Sequence, residues 1–331
     1  MFTILLCFFG FLAGHLASIL GCWFVDRSAD PGVLRCRSCD SRRPLVMLLP
    51  LFSIRRCGQC RSAGCRWPAL VALLSGAVFV ALGTALVSLD CQKVTEVRPE
   101  SPLWQNRLPF HLSLIFLLLI ITVTDFLEYT IPDAVVLSGS LIALVTATVS
   151  GELQMIHVWV NWDYEMVELY GPYLPDWMKH HQHLHGFVWS FCGLIAGASL
   201  VWMIRLLSHF ILGQPAVGFG DVTLMAMIGT YLGWQPTLCA LIIAPLAGIA
   251  VGAATRLITG RSFVAFGPYL AAGAVIVLFS WRYLWEVLLL RQIFSHWPTI
   301  AGLIIGTFVL LSFLLAGVRM YRMIPLDRIR S

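Results

Sequence analysis

Charge is scarce in this chain. Only 12% of its 331 residues are Asp, Glu, Lys or Arg, against 59% hydrophobic, and the mean hydropathy is +0.83. A soluble domain carries roughly a quarter charged residues, so a soluble globular fold is excluded. The polar–apolar alternation of a transmembrane strand is also missing, which excludes a closed β-barrel. No basic residue precedes the first apolar run; the first is Arg27, after it. Residues 2–25 therefore read as a retained helix and not as a cleaved leader. The net charge of +5 is not a nucleic-acid signal in such a chain, whose partner is the lipid bilayer. What matters is where the positive residues lie.

What is present is a series of continuous apolar runs, each near the roughly 20 residues that a crossing helix needs. They cover 2–25, 68–89, 110–124, 134–150, 186–204, 222–254, 263–281 and 299–318. The run 222–254 is broken by Gly233-Trp234-Gln235-Pro236 and reads as two short crossings. The expected fold is an all-α polytopic membrane protein of eight or nine transmembrane helices. The organisation follows: a first helix to residue 25, a basic cysteine-rich loop at 26–67, and a membrane domain over 68–331.

Charge placement orients it. Residues 26–67 hold Arg27, Arg35, Arg37, Arg42, Arg43, Arg55, Arg56, Arg61 and Arg66, and the tail holds Arg319, Arg322, Arg328 and Arg330. Both are expected to be cytoplasmic. The segment 151–185 has Glu152, Asp163, Glu165, Glu168 and Asp176 against Lys179 alone, and is expected outside. Nine crossings then put the turns at 125–133, 205–221 and Arg256/Arg261 inside. The outer segment also carries His180, His181, His183 and His185. They read as a solvated loop or, less simply, as metal ligands. Trp159, Trp162 and Trp177 are suited to an interfacial belt.

Of the 17 acidic residues, Asp125, Glu128, Asp133 and Asp221 adjoin apolar runs. Asp125 closes LIFLLLIITVTD, Asp133 follows Pro132, and Asp221 follows Gly218 and Gly220 in GFGD. Asp125 and Asp221 are expected at one depth, at the cytoplasmic ends of two helices. Two carboxylates sharing a partly dry site cannot both ionise easily. One can then act as base on a water while the other donates to a carbonyl oxygen. Glycines beside Asp221 would admit an extended backbone. Asp221 and Asp133 could equally be helix caps, and Glu128 could snorkel to the headgroups. A negative charge at a helix C-terminus, as for Asp125, is disfavoured. A proton- or cation-coupled transporter using the paired carboxylates is the alternative in another class, although transporter sites lie near the midplane.

Ten cysteines occur. Cys7, Cys22, Cys91, Cys192 and Cys239 lie in or beside apolar runs and read as small buried hydrophobes. Cys36, Cys39, Cys57 and Cys60 form two Cys-x2-Cys pairs in the basic loop, the spacing of a tetrahedral structural zinc site. Cys65 is surplus, a bystander or substitute ligand.

In this order the pieces resemble the bacterial type IV prepilin peptidases, the membrane aspartic proteases with a GxGD signature. The blocks that carry the resemblance run from about residue 10 to 275. They are GHLASILGCWFVDR at 14–27, the double Cys-x2-Cys loop with RWPALVALLSG, TDFLEYTIPD at 124–133, GFGD at 218–221 and VAFGPYLAAGA at 264–274. The resemblance implies a peptidase of the bacterial inner membrane. It would cut the basic leader from type IV prepilins or from pseudopilins of type II secretion, on the cytoplasmic face. Asp125 and Asp221 would be catalytic, and Asp133, Gly218 and Gly220 supporting. Many relatives then methylate the new N-terminus with S-adenosylmethionine. The chain departs from the pattern in three places, the first being that the N-terminal Asn of the family's first-helix motif is not evident. Thr223 stands where the family usually has Lys, and Ala72 near where a Glu is tied to methylation. Methylation therefore stays open, as does a catalytically inactive relative acting in pilus or secretion assembly.

Overall fold

A computed structural model describes residues 1–25, 33–36, 38–42, 56–62, 66–97, 101–163, 167, 171–259 and 265–322. For 103, 104 and 250–259 only the backbone is described. Arg27, Arg37, Arg43, Arg55, Cys65, Glu165, Glu168, Arg261, Arg328 and Arg330 lie outside the described residues.

The chain is helical and has no strand among the described residues, only isolated bridges at Arg35–Arg42 and Asn161–Tyr173. The helices are α1 (Phe2–Phe24), α2 (Trp67–Ser88), α3 (Leu103–Glu128), α4 (Asp133–Ser150), α5 (Asp176–His180), α6 (Gln182–Leu212), α7 (Phe219–Leu232), α8 (Trp234–Thr259), α9 (Gly267–Arg282), α10 (Leu290–Ser295) and α11 (Trp297–Arg322). One π-helical turn, Tyr283–Val287, extends α9. Among the described residues seven helices are long and apolar enough to cross a membrane, and α7 and the start of α8 are shorter apolar helices. Seven and two make nine, and the break between the short pair falls at Gly233, whose φ of 78° suits glycine.

Small residues decide how these helices meet. Lipid tails offer no hydrophobic drive for helix association, so close backbone approach matters. Gly193 of α6 and Gly229 of α7 face each other so tightly that a Cβ on either would sit 2.0 Å from the other's carbonyl oxygen. Gly197 meets Met225 O and Gly186 meets Ala147 O in the same way, each at 2.1 Å. Gly10 and Gly14 seat α1 on Gly76, Val71 and Ser75 of α2, and Gly21 seats it on Val123 of α3. Within α1 and within α6 these glycines recur four or seven residues apart, the spacing of one helix face.

Packed against α3, α4, α6, α8 and α9, α7 is the centre of the bundle. From Val222 to Leu232 all but Thr223 and Ala226 are buried. Its 14 residues span about 21 Å, short of the roughly 30 Å hydrocarbon core. A helix this short has its first turn held within protein, where a polar side chain can be sheltered from lipid.

Two regions differ from the sequence expectation. First, α3 starts at 103, not 110. Arg107, 1% exposed, is accommodated because its guanidinium donates to the carbonyls of Gln92 and Gln154, so the charge does not end the helix. Second, the segment 151–185 is not uniformly solvated among its described residues. Leu153, Met155, Ile156 and Val160 are buried, and the strap they form is tied down by Trp234 and Gln235 donating to the carbonyls of His157 and Val158. Glu96 accepts from the indoles of Trp162 and Trp285 at 2.8 and 2.7 Å. Of the histidine run, His180, His181 and His183 are exposed. His185 is buried beside His157, with ring centroids 5.0 Å apart.

Candidate active site

The last turn of α3 holds Asp125 although its dipole opposes a negative charge there. A second helix end offsets this. The N–H of Gly267, the first residue of α9, donates to Asp125 Oδ2 at 2.9 Å. A helix N-terminus carries partial positive charge and free N–H groups, so α9 supplies what α3 lacks. Tyr129 closes α3 in a left-handed conformation, φ 56°, with its N–H on Asp125 O. Asp125 is 5% exposed.

Asp221 sits in the first turn of α7 and is 9% exposed. Gly218, extended at φ −66° and ψ 158°, is the N-cap, and its N–H donates to Asp221 Oδ2 at 3.0 Å. Each carboxylate thus takes one backbone N–H from a glycine at a helix start.

Three sequence blocks converge here. Gly220 packs on Ile131, where a Cβ would lie 3.0 Å away, so GFGD lies against TDFLEYTIPD. Gly267 packs on Asp125, where a Cβ would lie 2.6 Å from Oδ2. The segment at 264–274, noted only as a motif, thereby contributes directly to the site. Gly267→Ala is expected to push the Asp125 carboxylate aside. The overpacking should cost about 1–3 kcal/mol, read as a lower melting temperature in detergent.

Asp133 is exposed in the first turn of α4, outside the buried pair. Thr223 bonds the Gly220 carbonyl at 2.9 Å. Ala72 is fully buried, and a Cβ on Gly14 would lie 2.9 Å from its Cα. Helices α1 and α2 pack closely at this point. Arg205, which the sequence reading passed over, had a signal: it is the lone Asp, Glu, Lys or Arg in the 31 residues of α6.

The four loop cysteines form a second cluster, with their sulfurs all within 4.8 Å of one another. Cys36 Sγ lies 3.4 Å from Cys60 Sγ, and Cys39 Sγ 3.8 Å from Cys57 Sγ. Tetrahedral Zn–S bonds of about 2.3 Å require sulfurs about 3.8 Å apart, so this donor set fits zinc. The two knuckles repeat each other. Cys36 N–H bonds Ser41 O and Cys57 N–H bonds Ser62 O, both at 2.9 Å. Asp40 and Arg61, four residues after each first cysteine, turn the chain at φ 52° and 55°. Each turn brings its serine to the sulfurs: Ser62 Oγ is 3.1 Å from both Cys36 and Cys60, and Ser41 Oγ is 3.1 Å from Cys39. The Ser62 hydroxyl, with the backbone N–H of Ser38, holds the Cys36 thiol down to about 5. These serines were missed, although the repeat CRSCDS and CGQCRS displays them.

The Type IV leader peptidase family matches residues 112–253. Proteins named prepilin leader peptidase/N-methyltransferase are similar over parts of the chain. That of Burkholderia pseudomallei is 38% identical over 90 residues, 26% of this chain and 29% of its own length. That of Pseudomonas putida is 28% identical over 173 residues, 51% of this chain and 49% of its own. That of Escherichia coli K12 is 34% identical over 88 residues, 26% of this chain and 39% of its own. The chain thus covers less than half the length of these relatives. No solved structure matches. The segment 112–253 that matches the Type IV leader peptidase family contains both Asp125 and Asp221.

Proposed function

We propose that this chain is an aspartic endopeptidase of the bacterial inner membrane that removes the basic leader of type IV prepilins or pseudopilins at the cytoplasmic face. The observation that supports this reading is the packing of Gly220 on Ile131 and of Gly267 on Asp125, which brings the GFGD, TDFLEYTIPD and VAFGPYLAAGA blocks together around the two buried aspartates. One carboxylate, ionised, takes a proton from a water whose oxygen attacks the scissile carbonyl. The other, protonated, donates to the carbonyl oxygen and stabilises the charge that develops there. The proton taken by the base then passes to the leaving amine. A prepilin presents a charged leader followed by an apolar helix, so the helix can stay in lipid while the junction reaches the helix ends that hold the aspartates.

The transporter reading is less well supported, because both aspartates lie at helix ends and transporter carboxylates sit near the midplane. Cleavage alone, without methylation, is the simpler form here, since Ala72 and Thr223 stand where the resemblance leads one to expect Glu and Lys. The proposed test is incubation of the purified chain with a prepilin, reading leader release on gels.

Zinc held by Cys36, Cys39, Cys57 and Cys60 would tie residues 36–60 into one unit, with no open position for chemistry. Cobalt(II) titration of the purified chain is expected to give a thiolate charge-transfer band at one equivalent. Cys57→Ser should abolish tight binding, and Ser62→Ala should weaken it about 10-fold, the scale of an outer hydrogen bond. An unchanged cobalt isotherm for Cys57→Ser would rule the site out.

A further inference from the structure

A cation on an apolar helix is costly to keep, and Arg205 of α6 is held in a specific way. Its Nη1 donates to the carbonyl oxygen of Val217 at 2.5 Å. That carbonyl belongs to the same peptide group as the N–H of Gly218, which donates to Asp221 Oδ2 at 3.0 Å. A trans peptide is planar, with its C=O and N–H pointing in opposite directions. Guanidinium, amide and carboxylate therefore form one chain of hydrogen bonds, with a charged group at each end. Charge-assisted bonds are the strong ones, and bonds in series polarise one another.

A second grip is one turn further along α6. Ser208 Oγ donates to Arg205 O and accepts the N–H of Ala216, both at 2.9 Å. The last turns of α6 thus hold residues 216–218 at two points, immediately before the GFGD aspartate. Among the described residues, Asp125 and Arg205 are the charged groups that act on Asp221. Neither Gly218 nor Gly220 has a side chain of its own to fix the loop.

We propose that Arg205 is a positioning residue: it orients the Val217–Gly218 peptide so that its N–H holds the Asp221 carboxylate facing Asp125. This rests on the peptidase reading of Asp221. The cation acts through the Val217–Gly218 amide.

The test uses the full chain in detergent with a purified prepilin. Arg205→Met is expected to lower kcat about 10- to 100-fold with KM changed less than about twofold, because substrate contacts are untouched. Arg205→Lys, which keeps a charged donor, should recover to within about threefold of the parent. A parent-like rate for Arg205→Met, equal losses in the Met and Lys variants, or a loss confined to KM would each overturn the proposal. Should Arg205→Met not accumulate, Arg205→Gln is assayed the same way and should fall between Met and Lys. A double-mutant cycle on the melting temperature of Arg205→Met and Asp221→Ala, which removes the acceptor of the Gly218 N–H, adds a readout that needs no turnover. Coupling is expected, with the Met substitution shifting the melting temperature less than half as far when Asp221 is already Ala. Additive shifts would overturn the proposal. A parent chain that cuts no prepilin, with the coupling intact, would instead remove the peptidase reading and leave the Arg205–Asp221 link standing.

Discussion

Asn in place of Asp125 or Asp221 is expected to lower prepilin cleavage by about 10³-fold or more, the scale of losing a general acid or base, while both variants accumulate normally. The substitution changes little else. Asn has nearly the same shape, and its amide oxygen can still accept the Gly267 or Gly218 N–H that the carboxylate accepts now. It cannot take a proton from water or exist as the acid. This separates the catalytic reading from the structural one, because Asn caps a helix about as well as Asp. Were Asp221 only a cap, Asp221→Asn would leave cleavage intact. Residues that act as a unit fail together, so the double variant should be no slower than the worse single one. The measurement is the leader-release rate of each variant at matched protein amount. Near-normal cleavage by either variant would remove that residue from the chemistry.

Leu in place of Gly193 is expected to prevent the bundle from assembling. A Cβ there already meets the Gly229 carbonyl oxygen at 2.0 Å, so the first atom of any side chain forces α6 and α7 apart. The displacement would carry Gly197 and Ser190 with it. Gly197 touches Met225 O, and Ser190 Oγ donates to Thr230 O at 2.8 Å. Overpacking of a tight contact costs about 1–3 kcal/mol even where side chains can give. Here the obstacle is backbone, and the cost should exceed about 3 kcal/mol, a large part of the 5–15 kcal/mol that holds a typical domain. Folded Gly193→Leu protein should be lost in detergent size-exclusion and thermal-shift measurements, with Gly193→Ala between it and the parent. A Leu variant with the parent melting temperature would show that α6 and α7 do not meet at these glycines. The site depends on this contact, because α7 carries Asp221 and α6 carries Arg205.

Much of this was legible in the chain because bilayer physics writes it in long words. An apolar run of about 20 residues has few alternatives to a crossing helix, so the helices fall where the runs are, and Gly233 divides the central pair as its neighbours suggested. Asp125, Asp221 and the four loop cysteines stood out because each is expensive or unusual where it lies. Partnerships across the fold left a fainter mark. The strap at 152–160 has no helical or strand period, and only its contacts with Trp234 and Gln235 show it to be buried. Arg107 read as a loop residue because a lone charge usually ends an apolar run. The carbonyls that accept it belong to Gln92 and Gln154, which nothing local announces. Gly267 looked like part of a motif, and its role depends on α9 pointing its first N–H at a carboxylate 142 residues away. Arg205 and the serines at 41 and 62 were visible, as a lone charge and as a short repeat, but each takes its meaning from the partner it reaches.

The most direct test is the intact mass of a mature pilin N-terminus. A prepilin from the same genome is co-expressed with the parent chain, with Asp125→Asn or with Asp221→Asn, and recovered from the membrane. The expected result is a product lighter by the whole basic leader with the parent chain, and the full-length precursor with either variant. A further 14 Da, the mass of one added methylene, would report methylation despite Ala72. Recovery of the same shortened product from all three strains would contradict the claim that these two carboxylates cut the peptide bond.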